Sequence, residues 1–215
     1  MKLTASSHEP RFARLLEGSS RFVWDKVLLD GPDFVVAPTR GSIVPNWVMV
    51  IPKQHTLNFA SQAMLMEVDP YFLASGVAKA LGATSDWIWF EHGASHRESE
   101  VGCGVDHAHL HILLSPNFTF SEFADEVFAS SDDVWQEKSP DHTYESLDGA
   151  TSYYAFGNSQ RGMSKVGVSL GRQFFRKAVA KIAKVPSEWD YNLFPHETNV
   201  AETVSTLTAP RKQAA

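Results

Sequence analysis

The chain has 215 residues, with 19 Lys and Arg against 25 Asp and Glu, for a formal net charge of −6. At 43% hydrophobic and 20% charged its composition is globular, which excludes disordered and collagen-like classes. The acidic balance excludes non-specific nucleic-acid binding, which needs a basic footprint. The single cysteine, Cys103, excludes an internal disulfide framework and fits a reducing compartment. Residues 1–20 lack the apolar core of a signal peptide, and no apolar run approaches the ~18–20 residues of a membrane span. A cytoplasmic location with no membrane partner is therefore expected.

Taken in chain order, residues 22–29 and 34–37 predict two strands around the turn Asp30-Gly31-Pro32-Asp33. A third strand over 46–52 is ended by Pro52. Residues 61–81 are helical in composition; Asp69-Pro70 opens the main helix and Gly82 stops it. Strands are expected at 87–90 and 105–114, then a short helix at 121–129 with Ser121 as its N-cap. The composition turns polar over 130–149, predicting a linker or long loop. Two short strands at 153–156 and 163–168 follow. An amphipathic helix at 171–184 carries the stripe Phe174, Phe175, Ala178, Val179 and Ile182. Together these predict an α+β fold with a mainly antiparallel sheet, flanking helices and a smaller C-terminal α/β extension over 150–215.

Of nine histidines, three stand in alternation in His107-Ala108-His109-Leu110-His111-Ile112-Leu113. On a strand, alternation puts the three imidazoles on one face, while Ala108, Leu110 and Ile112 point into a core. Such a row covers about 13 Å at ~3.3 Å per residue. It can follow a polyphosphate, because neutral imidazole is a nucleophile and proton shuttle near neutral pH. It can also bind zinc, with Glu91, His92 and His96 as further donors.

The His-φ-His-φ-His-φ-φ pattern, with φ hydrophobic, resembles the signature of the histidine triad (HIT) superfamily. Upstream, Val48-Met49-Val50-Ile51-Pro52-Lys53-Gln54-His55 resembles that family's strand ending in Ile-Pro-Lys-x-His. The resemblance covers about residues 22–116 and implies a HIT-like catalytic domain over 1–129. It implies a nucleotide phosphohydrolase or nucleotidyltransferase acting on an α-phosphate, with no metal or other cofactor. His109 would be the nucleophile, His107 would orient it, and His111 would donate to a phosphate oxygen. Cys103, Gly104, Lys53, His55 and Glu91 would border the nucleotide or its phosphates. The family often has Gly-Gln-Ser or Gly-Gln-Thr before the triad; this chain has Gly102-Cys103-Gly104, without those side-chain donors. A non-catalytic nucleotide-binding module and a zinc-dependent hydrolase are the alternatives. The resemblance further implies a nucleotide or dinucleotide substrate and a homodimer.

Overall fold

A computed structural model describes residues 11–61, 69–83, 86–102, 105–131 and 134–209. Its centre is an eight-stranded antiparallel sheet: β1 (Leu29–Asp30), β2 (Phe34–Pro38), β3 (Trp47–Pro52), β4 (Trp87–Gly93), β5 (Leu110–Leu114), β6 (Gln136–Lys138), β7 (Tyr153–Gly157) and β8 (Gly162–Val166). The order across the sheet is β1-β2-β3-β5-β4-β7-β8-β6. Among the described residues, these helices accompany it: α1 (Arg11–Leu16), α2 (Pro70–Ala80), α3 (Phe120–Ala129), α4 (Phe174–Ile182) and α5 (Glu197–Thr208).

Every residue of β3, β4, β5 and β7 is buried. That pattern reflects a sheet covered on both faces, where strands read as continuous apolar runs rather than alternating ones. One face carries Val48, Val50, Trp89, Leu110 and Ile112 and packs on Ala74, Val77 and Ala78 of α2. The other carries Trp47, Phe90, Leu113 and Phe156 and packs on α3 and α4 through Phe123, Phe174, Phe175 and Val179. A smaller cluster on that second face sets Phe12 and Leu15 of α1 against Val35, Met49 and Ile51.

Local chemistry explains the helix starts. The Asp69 side chain accepts from Tyr71 N–H and Pro70 occupies the first turn, as expected from sequence. Helix α3 begins one residue earlier than expected. Its N-cap is Thr119, not Ser121: Thr119 and Glu122 form a reciprocal capping box.

Four other expectations change. Residues 22–29 are not a strand; they form a 3-10 turn at Val23–Asp25 and only the short β1 follows. The strand expected from 105 begins at Leu110, because β3 ends at Pro52 and its pairing with β5 stops at Val50↔Leu110. Residues 130–149 are not a free linker. They place β6 at the sheet edge, add the 3-10 turn Pro140–His142 and bury Tyr144. Helix α5 was not foreseen; it is fastened to the loop before β3 by Asn199, whose side-chain N–H groups donate to Ser42 and Ile43 carbonyls. Thr203 Oγ1 also accepts from Asn46 N–H there. The C-terminal strands are part of the sheet itself: β7 pairs with β4 along five positions.

That pairing demands a glycine. A Cβ on Gly93 would stand 2.2 Å from the ring of Tyr153, which is wholly buried and cannot yield. Gly76, exposed in α2, has open space around it. Gly93→Ala should therefore lose about 3 kcal/mol from overpacking, whereas Gly76→Ala should gain about 0.5–1 kcal/mol through helix propensity. Urea denaturation of the two variants checks both signs.

Candidate functional site

His111 lies within β5, opposite Met49 of β3 and Phe90 of β4. His107 and His109 precede the strand in a stretch anchored by Ala108 N–H donating to Thr56 carbonyl at 2.7 Å. The expected alternation holds despite the shorter strand, since Ala108, Leu110 and Ile112 join the α2-side core. The imidazoles take the opposite face, where the rings of His109 and His111 are 4.9 Å apart. Phe12 of α1 approaches both His107 and His109 edge-on, at 5.6 and 5.5 Å. His109 is 8% exposed and His111 3% exposed.

Each ring's hydrogen bond assigns its neutral tautomer, because a carbonyl only accepts and an indole N–H only donates. His107 Nε2–H donates to Pro52 carbonyl at 2.8 Å. His109 Nδ1–H donates to the carbonyl of His107 at 2.9 Å, leaving the lone pair on Nε2. At His111 the sense reverses: Trp47 Nε1–H donates to Nδ1 at 3.1 Å, so the proton sits on Nε2. A basic nitrogen and an N–H donor are thereby set on adjacent rings. Burial, with the neighbouring His55, pushes His107 below its ordinary value even though its bond to Pro52 opposes the shift. His107 is thereby favoured in its uncharged form.

His55 stands beside the triad. Its ring is 5.1 Å from that of His107, and Nε2–H donates to Asp106 carbonyl at 2.7 Å. Lys53 is drawn the other way, to an ion pair with Asp30 at 2.7 Å across the β1–β2 turn. Cys103 and Gly104 lie outside the described residues. His107 meets His109 through its backbone carbonyl, which accepts from Nδ1–H. Glu91 is not beside the triad at all.

Glu91 faces the α2-side core, because strand alternation pairs it in direction with Trp89 and sets Phe90 and His92 toward the triad. It is 1% exposed. Oε1 accepts from Phe59 N–H at 2.7 Å, and Oε2 from the hydroxyls of Tyr144 and Tyr153 at 2.8 and 2.7 Å. It therefore ties the segment before α2, β7 and the 140s segment to β4, and meets no phosphate on the histidine face.

Sequence reasoning raised His92 as a possible zinc donor and did not place Trp47 or Arg176 in the site. His92 is buried against Phe175 and accepts that residue's backbone N–H at Nε2, 3.4 Å away. Burial, His109 and Arg176 together hold its pKa well below the usual histidine range. Arg176, read as a surface charge on an amphipathic helix, is 2% exposed. The only sequence signal was its position next to Phe174 and Phe175. His96 is exposed and paired to Ser95 Oγ. Among the described residues, no group of three or more His, Cys, Asp and Glu side chains is arranged to hold a metal ion. Nor is any described helix long and apolar enough to cross a membrane.

No protein-family model matches the chain, and no curated protein matches it. Among solved structures it is similar to a Hit-like protein involved in cell-cycle regulation from Bartonella henselae, crystallised with an unknown ligand. The identity is 23%, over 52% of this chain and 80% of that one, with a TM-score of 0.36. It is also similar to SMU.412c from Streptococcus mutans UA159, at 20% identity over 56% of this chain and 76% of that one, TM-score 0.37. Overlap at that level carries no argument about function, which must come from the side chains.

The Glu91 cluster has a signature in solution. Burial raises its carboxyl from 4.5 to about 7 against the pull of three donors. Folding therefore favours the protonated form: its contribution is complete below pH 4.5 and is lost as pH rises through about 7. Across that window the protein should lose about 3 kcal/mol of stability relative to its Glu91→Gln variant. Urea denaturation at a series of pH values checks it; parallel curves would show that Glu91 titrates alike in both states.

Proposed function

We propose that the chain is a nucleotide phosphohydrolase or nucleotidyltransferase of histidine-triad type, acting on an α-phosphate through His109. The observation that carries this is the pair of opposite tautomers on neighbouring rings: His109 with its lone pair on Nε2, His111 with its proton on Nε2. One supplies a nucleophile and the other a donor for the charge that develops on phosphate oxygens.

The steps follow. His109 Nε2 attacks phosphorus; the P–N bond forms as the bond to the leaving group breaks, and the leaving group departs with the bonding pair. His111 Nε2–H donates a hydrogen bond to a non-bridging oxygen and keeps its proton, and the leaving group takes up a proton from solvent. Water, or a second acceptor hydroxyl, then attacks phosphorus: a P–O bond forms as the P–N bond breaks, the bonding pair returns to His109 Nε2, and the attacking oxygen's proton passes to solvent. Nδ1–H of His109, held by the His107 carbonyl, stabilises the positive charge the ring carries while bonded to phosphorus. No step calls on Glu91.

The substrate class is a nucleotide or dinucleotide, and the single cysteine fits a cytoplasmic setting. A homodimer, if formed, uses a surface other than the β4 edge, since β5 and β7 flank that strand. A second reading, a nucleotide-binding module without turnover, is favoured by the near-complete burial of His109 beneath Phe12.

Nucleoside phosphoramidates and dinucleotide polyphosphates should be cleaved, and His109→Ala should lower turnover by about 10³-fold or more. Intact mass after a quench without acid should show a nucleotidyl adduct in the wild type only. A variant that keeps wild-type turnover would remove His109 from the nucleophile role. Nucleotide binding by calorimetry with no turnover on any substrate would establish the module.

A further inference from the structure

Arg176 is a cation in an aromatic interior. Its Nε–H donates to Trp189 carbonyl at 2.9 Å and Nη2 donates to the Gly41 carbonyl. Its guanidinium carbon lies 4.9 Å from the ring centre of Trp47 and 5.7 Å from that of Tyr191. Arg40 also approaches the Tyr191 ring, at 5.6 Å, and sits 5.2 Å from Trp24. Trp24 in turn stacks on Phe22 at 4.7 Å. The side chains Phe22, Trp24, Arg40, Tyr191, Arg176 and Trp47 thus form one column of aromatic rings and guanidinium planes. It draws on the 3-10 turn, the loop before β3, helix α4 and the segment that follows it.

Burying a guanidinium is costly, and an apolar side chain of similar volume would fill the same space without that penalty. What the guanidinium adds is direction. Its planar fork is fixed by two carbonyls, and its cationic centre lies 4.9 Å from the ring centre of the Trp47 indole. That indole ends the column on the triad: Nε1–H points at His111 Nδ1, and the rings are 5.6 Å apart. Thr39 Oγ1 is 3.5 Å from the same nitrogen, beyond the range of a strong bond. The indole is a donor only, so its bond to Nδ1 calls for the proton of neutral His111 on Nε2. Helix α4 meets the histidine face at the adjacent residue too, through Phe175 N–H and His92.

We propose that Trp47 and Arg176 are positioning residues: Arg176, clamped to the Gly41 and Trp189 carbonyls, fixes the indole, and the indole N–H holds His111 as its Nε2–H tautomer. The C-terminal segment that carries Arg176 and Trp189 is then a working part of the site rather than a cover over it. The proposal rests on the role given to His111 above, but its first readout does not need turnover.

Long-range proton–nitrogen NMR on protein labelled at histidine reads the tautomer directly, with the His111 signal assigned by its loss in His111→Gln. The wild type should show the proton on Nε2. Trp47→Phe keeps the ring and deletes only the donor; it should move His111 to a mixture with Nδ1–H. Turnover should then fall by about tenfold or more in kcat, with KM changed by less than about threefold. Arg176→Lys, which keeps the charge but loses the fork and the stacked plane, should shift the tautomer in the same direction. If that variant does not fold, Trp47→Phe still decides. A wild-type His111 protonated on Nδ1, or a Trp47→Phe protein with the wild-type tautomer, would overturn the proposal. A wild type with no turnover on any nucleotide counts against the enzymatic reading alone, and the tautomer measurements then decide the positioning role by themselves.

Discussion

An imidazole enclosed between a sheet and its helices must be told which nitrogen carries the proton, because both nitrogens are potential partners and water is not there to equalise them. That constraint organises one face of this protein. The Pro52 carbonyl sets His107, the His107 carbonyl sets His109, and the Trp47 indole sets His111. Two of these are backbone groups, which cannot titrate or rotate away. The third is a side chain, and it is the one that needed a further support, from Arg176.

The two faces of the sheet solve different problems with polar groups. On the histidine face, polar rings are aimed by single hydrogen bonds. On the opposite face, Glu91 is surrounded by two tyrosine hydroxyls and a backbone N–H. These donors hold together β4, β7, the segment before α2 and the 140s segment. A buried carboxyl in that setting is a structural knot whose strength depends on its proton. Strand alternation separates the two groups completely, although Glu91 and His92 are neighbours in sequence.

How much was legible beforehand depends on range. The triad's common face followed from period-two alternation, and the supporting block with His55 fell next to it as expected. The antiparallel sheet, the turn at Gly31, the Asp69 cap and helix α4 were all readable from local chemistry. The face of Glu91 was not, since it needs the register Phe90↔His111 that only pairing provides. Arg176 looked solvated because its compensating partners, Gly41, Trp47, Trp189 and Tyr191, come from separate segments. Thr119 displaced Ser121 as a cap through a reciprocal contact with Glu122 that spans three residues, a pattern present in the sequence and passed over.

By itself, then, the sequence determined the chemical inventory and its periodicity: three alternating imidazoles, an apolar strand on either side of each turn, and a chain long enough to bury them. These follow from bonds between near neighbours. Tertiary structure alone decided which nitrogen of His107 and of His111 is basic, which face Glu91 takes, and that the C-terminal segments belong to the same sheet and reach the triad. Each of those depends on carbonyls, indoles and guanidiniums brought together across 50 to more than 100 residues, as with His107 and Pro52 or Arg176 and Gly41. No local rule contains that information, because the partner exists only once the chain has folded.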